Sequence, residues 1–291
     1  MPLPDSAVRT YVDDGYLVVP ALLAQDELDQ IGADLIRFAR GGYPLASAPP
    51  VGADADDEEA IRSILAVHFP HWVSDVAARL VQHPALIEVL TRITGAHLAH
   101  WDGGVKCMQS MAFVKPPGLP GQAWHQDERF IPTRDRSLVG AWIAVDDATE
   151  ANGCLWVVPG SHRQGYLWPT RPHGRPDEYD AADESHGFDE SAAVPVPVER
   201  GSVVFFNGYL LHRSQRNRSH GLRRALVNHY CNSWSLLPWA PTKTVPGTEI
   251  PTLDNRTVTV VAGPDPYEWR GRSRPPERVF LREPSAPGGF R

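Results

Sequence analysis

Trp124-His125-Gln126-Asp127 sets an imidazole and a carboxylate two residues apart. In an extended strand alternate side chains share a face, so His125 and Asp127 project together. Such a pair suits one divalent metal. Two histidines and one carboxylate on one face of the ion form the set used for oxygen-activating Fe(II), leaving the other positions open. The triplet alone is common, and a surface His–Asp pair is its ordinary explanation. A third ligand has to come from the chain's twelve histidines. His68, His71, His83, His97 and His100 lie in or near an N-terminal region that reads as helical, where surface and capping roles suit them. His173 and His186 fall in a polar stretch, and His162 sits in the turn Pro159-Gly160-Ser161-His162. His212 ends the apolar run Val203–Leu211, which reads as core strand, and a strand end holds a ligand rigidly. His220 and His229 remain competitors.

A dicarboxylate that chelates such a metal at one end needs a cation at the other, and arginine offers a bidentate fork. Arg223 and Arg224 stand just before the apolar-rich run Ala225–Tyr230. Alternation sends them to opposite faces and does not decide which one points inward.

The elements that position these groups follow from periodicity. Leu28, Ile31, Leu35 and Phe38 share one face of a helix expected over Gln25–Arg40. Further helices are expected over Glu58–Val67 and Trp72–Thr94, the second divided at Pro84, because proline opens a helix well and interrupts one badly. From His97 the texture turns to short β-rich runs between turn residues: Cys107–Lys115, Leu138–Val145, Cys154–Val158, Ser202–Phe206, Tyr209–His212 and Arg224–Tyr230. That pattern predicts an antiparallel sandwich or barrel. Asp177–Glu190 reads as a solvated acidic loop, and a lid is the lesser reading. The tail beyond Arg270 reads as irregular.

The composition, 42% hydrophobic and 22% charged, permits a sizeable core and argues against wholesale disorder. A net charge of -7 runs against a nucleic-acid or membrane-surface partner. The basic group Arg213, Arg216 and Arg218 reads as a solvated turn. Cys107, Cys154 and Cys231 form no CxxC pair or disulfide framework, and no signal-peptide or bilayer-spanning pattern is visible. These features make a soluble cytoplasmic protein the expectation.

The order of blocks in the chain closely resembles the phytanoyl-CoA dioxygenase family of Fe(II)/2-oxoglutarate oxygenases. The blocks are DDGYLVVPALL, QSMAFVKPPG before WHQD, AWIAVDDAT, NGCLWVVPGSH, RGSVVFFNGYLLHRS and GLRRA. The resemblance implies a mainly β fold with helical additions, a double-stranded β-helix or jelly roll of the cupin type. It implies one domain over 1–291: a helical part to about residue 96, a jelly-roll core over about 97–235 and an irregular tail over 236–291. It implies Fe(II), 2-oxoglutarate and O2 as cofactor and co-substrates, with His125, Asp127 and His212 as iron ligands. Arg223, rather than Arg224, matches the arginine for the distal carboxylate, while Gln109 and Lys115 match polar residues that help hold 2-oxoglutarate. Trp142, Asn152 and Trp156 lie in matching blocks as candidate pocket residues, with core or turn roles as their alternative.

The family's halogenating relatives lack the metal carboxylate, so the presence of Asp127 implies hydroxylation or a related oxidation of a small molecule. Family members act on acyl-CoA thioesters, amino acids and natural products, and His68–Trp72 and Trp168–Glu190 are where the substrate mouth is expected. Two rival readings stay open: a jelly-roll metal binder without catalysis, and a metal enzyme that does not use 2-oxoglutarate.

Overall fold

A computed structural model describes residues 3–237 and 255–284. The chain opens with helix α1 (Asp5–Asp14), closed at Gly15, whose φ of 82° turns it directly into strand β1 (Tyr16–Val19). Helices α2 (Gln25–Ala39), α3 (Asp57–Arg62), α4 (Asp75–Val81) and α5 (Pro84–Ile93) follow, with β2 (Ala66–His68) between α3 and α4. Pro84 stands at the first turn of α5, where its missing N–H costs nothing.

The remaining strands are β3 (Val105–Lys115), β4 (Gln122–His125), β5 (Val139–Ala144), β6 (Leu155–Val157), β7 (Thr170–Arg171), β8 (Glu184–Ser185), β9 (Val194–Val196), β10 (Val203–Asn207), β11 (His212–Ser214), β12 (Arg223–Asn232), β13 (Thr259–Ala262) and β14 (Phe280–Arg282). They build a jelly roll. The major sheet runs β1-β10-β5-β12-β3-β2-β14, with β13 also paired to β3, and the minor sheet runs β4-β11-β6-β9. All these pairings are antiparallel. The outer face of the major sheet carries Ala112, Val114, Ile143, Phe205, Leu226 and Tyr230 against Leu28, Leu35 and Phe38 of α2 and Leu86 and Leu90 of α5. Its inner face meets the minor sheet through Trp142, Ala144, Leu155, Val157, Phe206 and Val227.

Several expectations change. The helix expected over Glu58–Val67 stops at Arg62, where the Ser63 hydroxyl donates to Ala60 O, and Ala66–His68 is a strand. That run is buried throughout, and a short apolar run carries no period that separates strand from helix. The N-terminal part is therefore not purely helical, since it lends β1 and β2 to the major sheet. Tyr209–Leu211 is a turn, not a strand. Asn207 Oδ1 accepts from Tyr209 N, and Leu210 N donates to Asn207 O, so His212 opens β11 instead of ending a strand.

The tail expected as irregular over 236–291 supplies β13 and β14, although 238–254 and 285–291 lie outside the described residues. The acidic stretch Asp177–Glu190 is not simply solvated. Tyr179, Glu184 and Ser185 are buried, and Glu184 binds Arg171 at 3.1 Å and Arg175 at 2.7 Å. Arg216 and Arg218, expected on a bare turn, grip this stretch through Asp177 O and the Glu178 carboxylate. Among the described residues, no helix is long and apolar enough to cross a membrane.

Candidate metal centre and anion corner

His125 ends β4 and His212 opens β11, and the two residues are register partners in the minor sheet. Their rings lie 4.1 Å apart. Asp127 sits two residues beyond the strand's end, at the start of a 3-10 turn. Gln126 keeps extended angles (φ -128°, ψ 125°), so alternation carries through it and Asp127 still shares the face of His125. The Gln126 side chain turns elsewhere: its amide N donates to Tyr209 O at 2.8 Å and its oxygen accepts from Trp168 N at 2.8 Å.

Asp127 Oδ1 lies 3.7 Å from His125 Nε2 and 3.6 Å from His212 Nε2. One ligand atom from each of the three residues falls within 4.8 Å of the others, and all three residues are largely buried. The second ring nitrogens fix the tautomers. His125 Nδ1 binds Ala123 O at 2.7 Å and His212 Nδ1 binds Leu210 O at 3.0 Å. A carbonyl only accepts, so each Nδ1 carries the proton and each Nε2 lone pair points at the shared space. Burial and the neighbouring His212 push the His125 imidazole down to about 4, which leaves it neutral near pH 7. Burial alone raises the Asp127 carboxyl, but His212, His229 and His125 outweigh it and hold it below the usual carboxylate range. Two imidazoles and a carboxylate fit a divalent first-row metal.

His229, weighed from sequence only as a competing ligand, supports the site from β12. Its Nε2 lies 3.0 Å from Asp127 Oδ2, and its Nδ1 is buried without a partner. Its place in an alternating run beside Val227 was the available signal. Beside Asp127, burial lifts the Glu128 carboxyl to about 8 against hydrogen bonds from Thr133, and nothing in the sequence marked it.

A cavity of about 1090 Å³ opens between the sheets, and His125, Asp127 and His212 line it. So do Arg223, Lys115, Gln109 and Trp142. Arg223 and Lys115 are register partners on β12 and β3 and stand side by side. The Lys115 ammonium donates to Ser214 Oγ at 2.9 Å and Gln215 O at 2.7 Å. Burial and the adjacent Arg223 press it well below its ordinary value. Arg223 is buried, its guanidinium lies 5.5 Å from the Trp142 ring centre, and its Nε has no partner. Burial lowers Arg223 to about 10. Among the described residues neither of these two buried basic groups has a carboxylate salt bridge, which makes the corner suited to an anion. Arg224 faces the other way, where Asp146 takes it in a fork at 2.8 and 2.7 Å.

Asn152 and Trp156 do not line this cavity. Asn152 closes a turn, accepting from Thr149 N and donating to Asp147 O. Trp156 stands beside the Arg213 guanidinium, 5.5 Å from its ring centre. Of the expected mouth segments, Thr170 and Asp180–Asp183 reach the cavity, whereas His68–Trp72 does not and Leu65 lines it instead.

The chain is 35% identical over 146 residues to phytanoyl-CoA dioxygenase domain-containing protein 1 of Danio rerio, a match covering 49% of this chain and 50% of that one. It is 27% identical over 243 residues to the peroxisomal phytanoyl-CoA dioxygenase of Rattus norvegicus, covering 77% and 67%. The chain thus spans about half the length of the zebrafish relative. Among solved structures, the epimerase SnoN in complex with Fe3+, alpha ketoglutarate and nogalamycin RO superposes with a TM-score of 0.65 at 19% identity, covering 89% of this chain and 98% of that one. The non-heme monooxygenase ThoJ superposes with a TM-score of 0.63 at 20% identity, covering 96% and 89%. Both likenesses show the shared fold. The phytanoyl-CoA dioxygenase (PhyH) profile matches residues 11–225, most of the length, and the chain belongs to that family.

Proposed function

We propose that this protein is an Fe(II)- and 2-oxoglutarate-dependent oxygenase that hydroxylates an unactivated C–H bond of a small molecule and releases succinate and CO2. The observation that carries the reading is the joining, in one cavity, of the His125–Asp127–His212 cluster to the Arg223–Lys115 corner. A metal binder without catalysis has no use for a buried, unpaired arginine beside its ligands.

In this reading Nε2 of His125, Nε2 of His212 and the Asp127 carboxylate hold the iron. Arg223 forks the distal carboxylate of 2-oxoglutarate, with Lys115 as a second positive charge beside it. Trp142 flanks the guanidinium, and Gln109 lines the same face of β3. His229 donates to the outer oxygen of Asp127 and fixes how the carboxylate presents its other oxygen. With O2, iron and 2-oxoglutarate supply the oxidising power, while the protein supplies orientation and a site screened from water. No side chain is needed as a proton-abstracting base. Because Asp127 occupies the carboxylate position, hydroxylation is favoured over halogenation. A solved structure with epimerase chemistry, SnoN, shares the fold, so product analysis decides the outcome.

The test is the visible spectrum of the anaerobic Fe(II) protein before and after 2-oxoglutarate. A new metal-to-ligand charge-transfer band is expected. A folded, iron-loaded sample with no band returns the protein to the class of metal binders. Succinate release with a hydroxylated product then distinguishes hydroxylation from the alternatives.

A further inference from the structure

Among the described residues, the cavity wall carries a second shielded arginine whose side chain donates no hydrogen bond. Arg282 comes from β14, the edge strand of the major sheet, and lines the same cavity. Its side chain is only 12% exposed. Its Nε is buried without a partner, and its ion pair with Asp180 is stretched to 3.8 Å, beyond hydrogen-bonding distance. The other arginines shielded from solvent among the described residues donate at least one side-chain hydrogen bond, as Arg40, Arg92, Arg213, Arg224 and Arg256 do. Arg223 and Arg282 stand apart from them, and both line the cavity.

The register places Arg282 on the inner face. It pairs with Ala66, and Ala66 pairs with Phe113, a residue of the cavity wall. Three strand spacings separate β14 from β12, which sets Arg282 about 14 Å of backbone spacing from Arg223. The two arginines thus enter the cavity from well-separated strands of the same sheet. Between them Leu65, Met111 and Phe113 give an apolar wall. Asp180, from the stretch that borders the opening, is the carboxylate nearest to Arg282, and its long contact is loose enough to yield. Arg282 also lies beyond residue 225, where the match to the family profile ends.

We propose that Arg282 is the docking point for an anionic group, carboxylate or phosphate, on the primary substrate, whose apolar skeleton lies along Leu65, Met111 and Phe113 toward the metal ligands. The inference rests on the oxygenase reading for the use of the cavity, and adds the substrate class: an organic anion with an apolar body. The co-substrate's anion goes to one flank of the sheet and the substrate's to the other, so the two acids do not compete for one arginine.

Protein loaded with Zn(II) and saturated with N-oxalylglycine, an unreactive 2-oxoglutarate analogue that fills the Arg223 corner, is titrated calorimetrically with octanoate, octyl phosphate and octanamide. At least one anion is expected to bind about tenfold or more tighter than the neutral amide, as hydrogen bonds to a charged group warrant. The stronger of the two anions identifies the headgroup. R282Q abolishes the preference and R282K keeps part of it, while D180N leaves it intact or strengthens it by removing the competing carboxylate. The proposal is overturned if no anion binds the wild type, if octanamide binds as well as the anions, or if the preference survives in R282Q. It is also overturned if D180N loses it together with R282Q, because the pair is then a latch on the Asp180 stretch. The charge-transfer band of the same protein with Fe(II) and 2-oxoglutarate separates the two levels. Its absence sinks the oxygenase reading, and its presence without an anion preference sinks only the role of Arg282.

Discussion

Strand β12 presents two faces that obey different rules. On the outer face Leu226 and Tyr230 lie in the helix-covered core, the Tyr230 hydroxyl donates to Val81 O at 2.9 Å, and Arg224 is tied to Asp146. On the inner face Arg223 Nε and His229 Nδ1 are buried with no partner. One residue of offset separates an arginine the fold has satisfied from one it has left with spare capacity. For the two arginines, the partner rather than burial separates structural from functional use, since Asn228 Oδ1 on the outer face is also buried without a partner. An unpaired buried charge lowers stability and is kept where a ligand completes it.

The contrast can be broken experimentally. Asp127→Ala carries the largest expected effect: succinate release is abolished and metal affinity collapses, since two imidazoles alone hold the ion poorly, while the fold persists. Metal titration and turnover check this, and full hydroxylation by the variant would falsify the ligand assignment. Arg223→Ala comes next. The apparent KM for 2-oxoglutarate should rise by about 30-fold or more, in line with ~2–5 kcal/mol for removing one partner of a buried charge pair. The melting temperature should hold or rise, because an uncompensated buried cation has been removed.

Leu226→Ala inverts that outcome. It should cost about 2–5 kcal/mol of stability in chemical denaturation through the cavity it leaves, with the charge-transfer band retained. Arg224→Ala should cost less, about 1–3 kcal/mol, through the stranded Asp146, and leave the KM for 2-oxoglutarate unchanged. A raised KM in Arg224→Ala with none in Arg223→Ala would exchange the roles of the two arginines.

The mildest effect near neutrality is the pH dependence of the metal-free protein. Burial lowers His68, His71 and His125 to about 4 from an ordinary 6.5. Their neutral forms favour the folded state, so this stability is present above pH 6.5 and is lost as pH falls from 6.5 toward 4. Glu128, raised to about 8 from 4.5, acts in the opposite sense and regains stability over the fall from 8 to 4.5. Three groups oppose one, so the melting temperature should decline below about pH 6.5. A flat profile down to pH 4.5 would show that these imidazoles are not held neutral.

Much of this was legible in the sequence. The alternation through His125 and Asp127 was readable, but the apolar run before His212 ends in a turn rather than a strand, and it was the family blocks that singled out His212, which the minor sheet pairs with His125. The jelly roll was readable from the spacing of β-rich runs together with the family blocks. The choice between Arg223 and Arg224 was not legible from alternation, because the face of a strand is decided by what packs on it, here α2 and Asp146 on one side. Nor could Ala66–His68 declare itself a strand, since its partners β3 and β14 lie distant in the chain. Arg282 carried no motif, and its position follows only from β14 closing the sheet edge. Asn152 and Trp156 lay in plausible blocks but serve a turn and the Arg213 stack, as short polar and aromatic residues in such blocks often do.

The cross-strand pairing of His125 with His212 also bears on how the protein comes together. The two residues are about 90 positions apart, so the loop they close is long and its entropy is lost late in folding. Metal capture then depends on a contact that only the assembled minor sheet provides. During refolding, the appearance of the charge-transfer colour times the closure of that sheet, and a lag between helical signal and colour would measure how far local structure runs ahead of global topology.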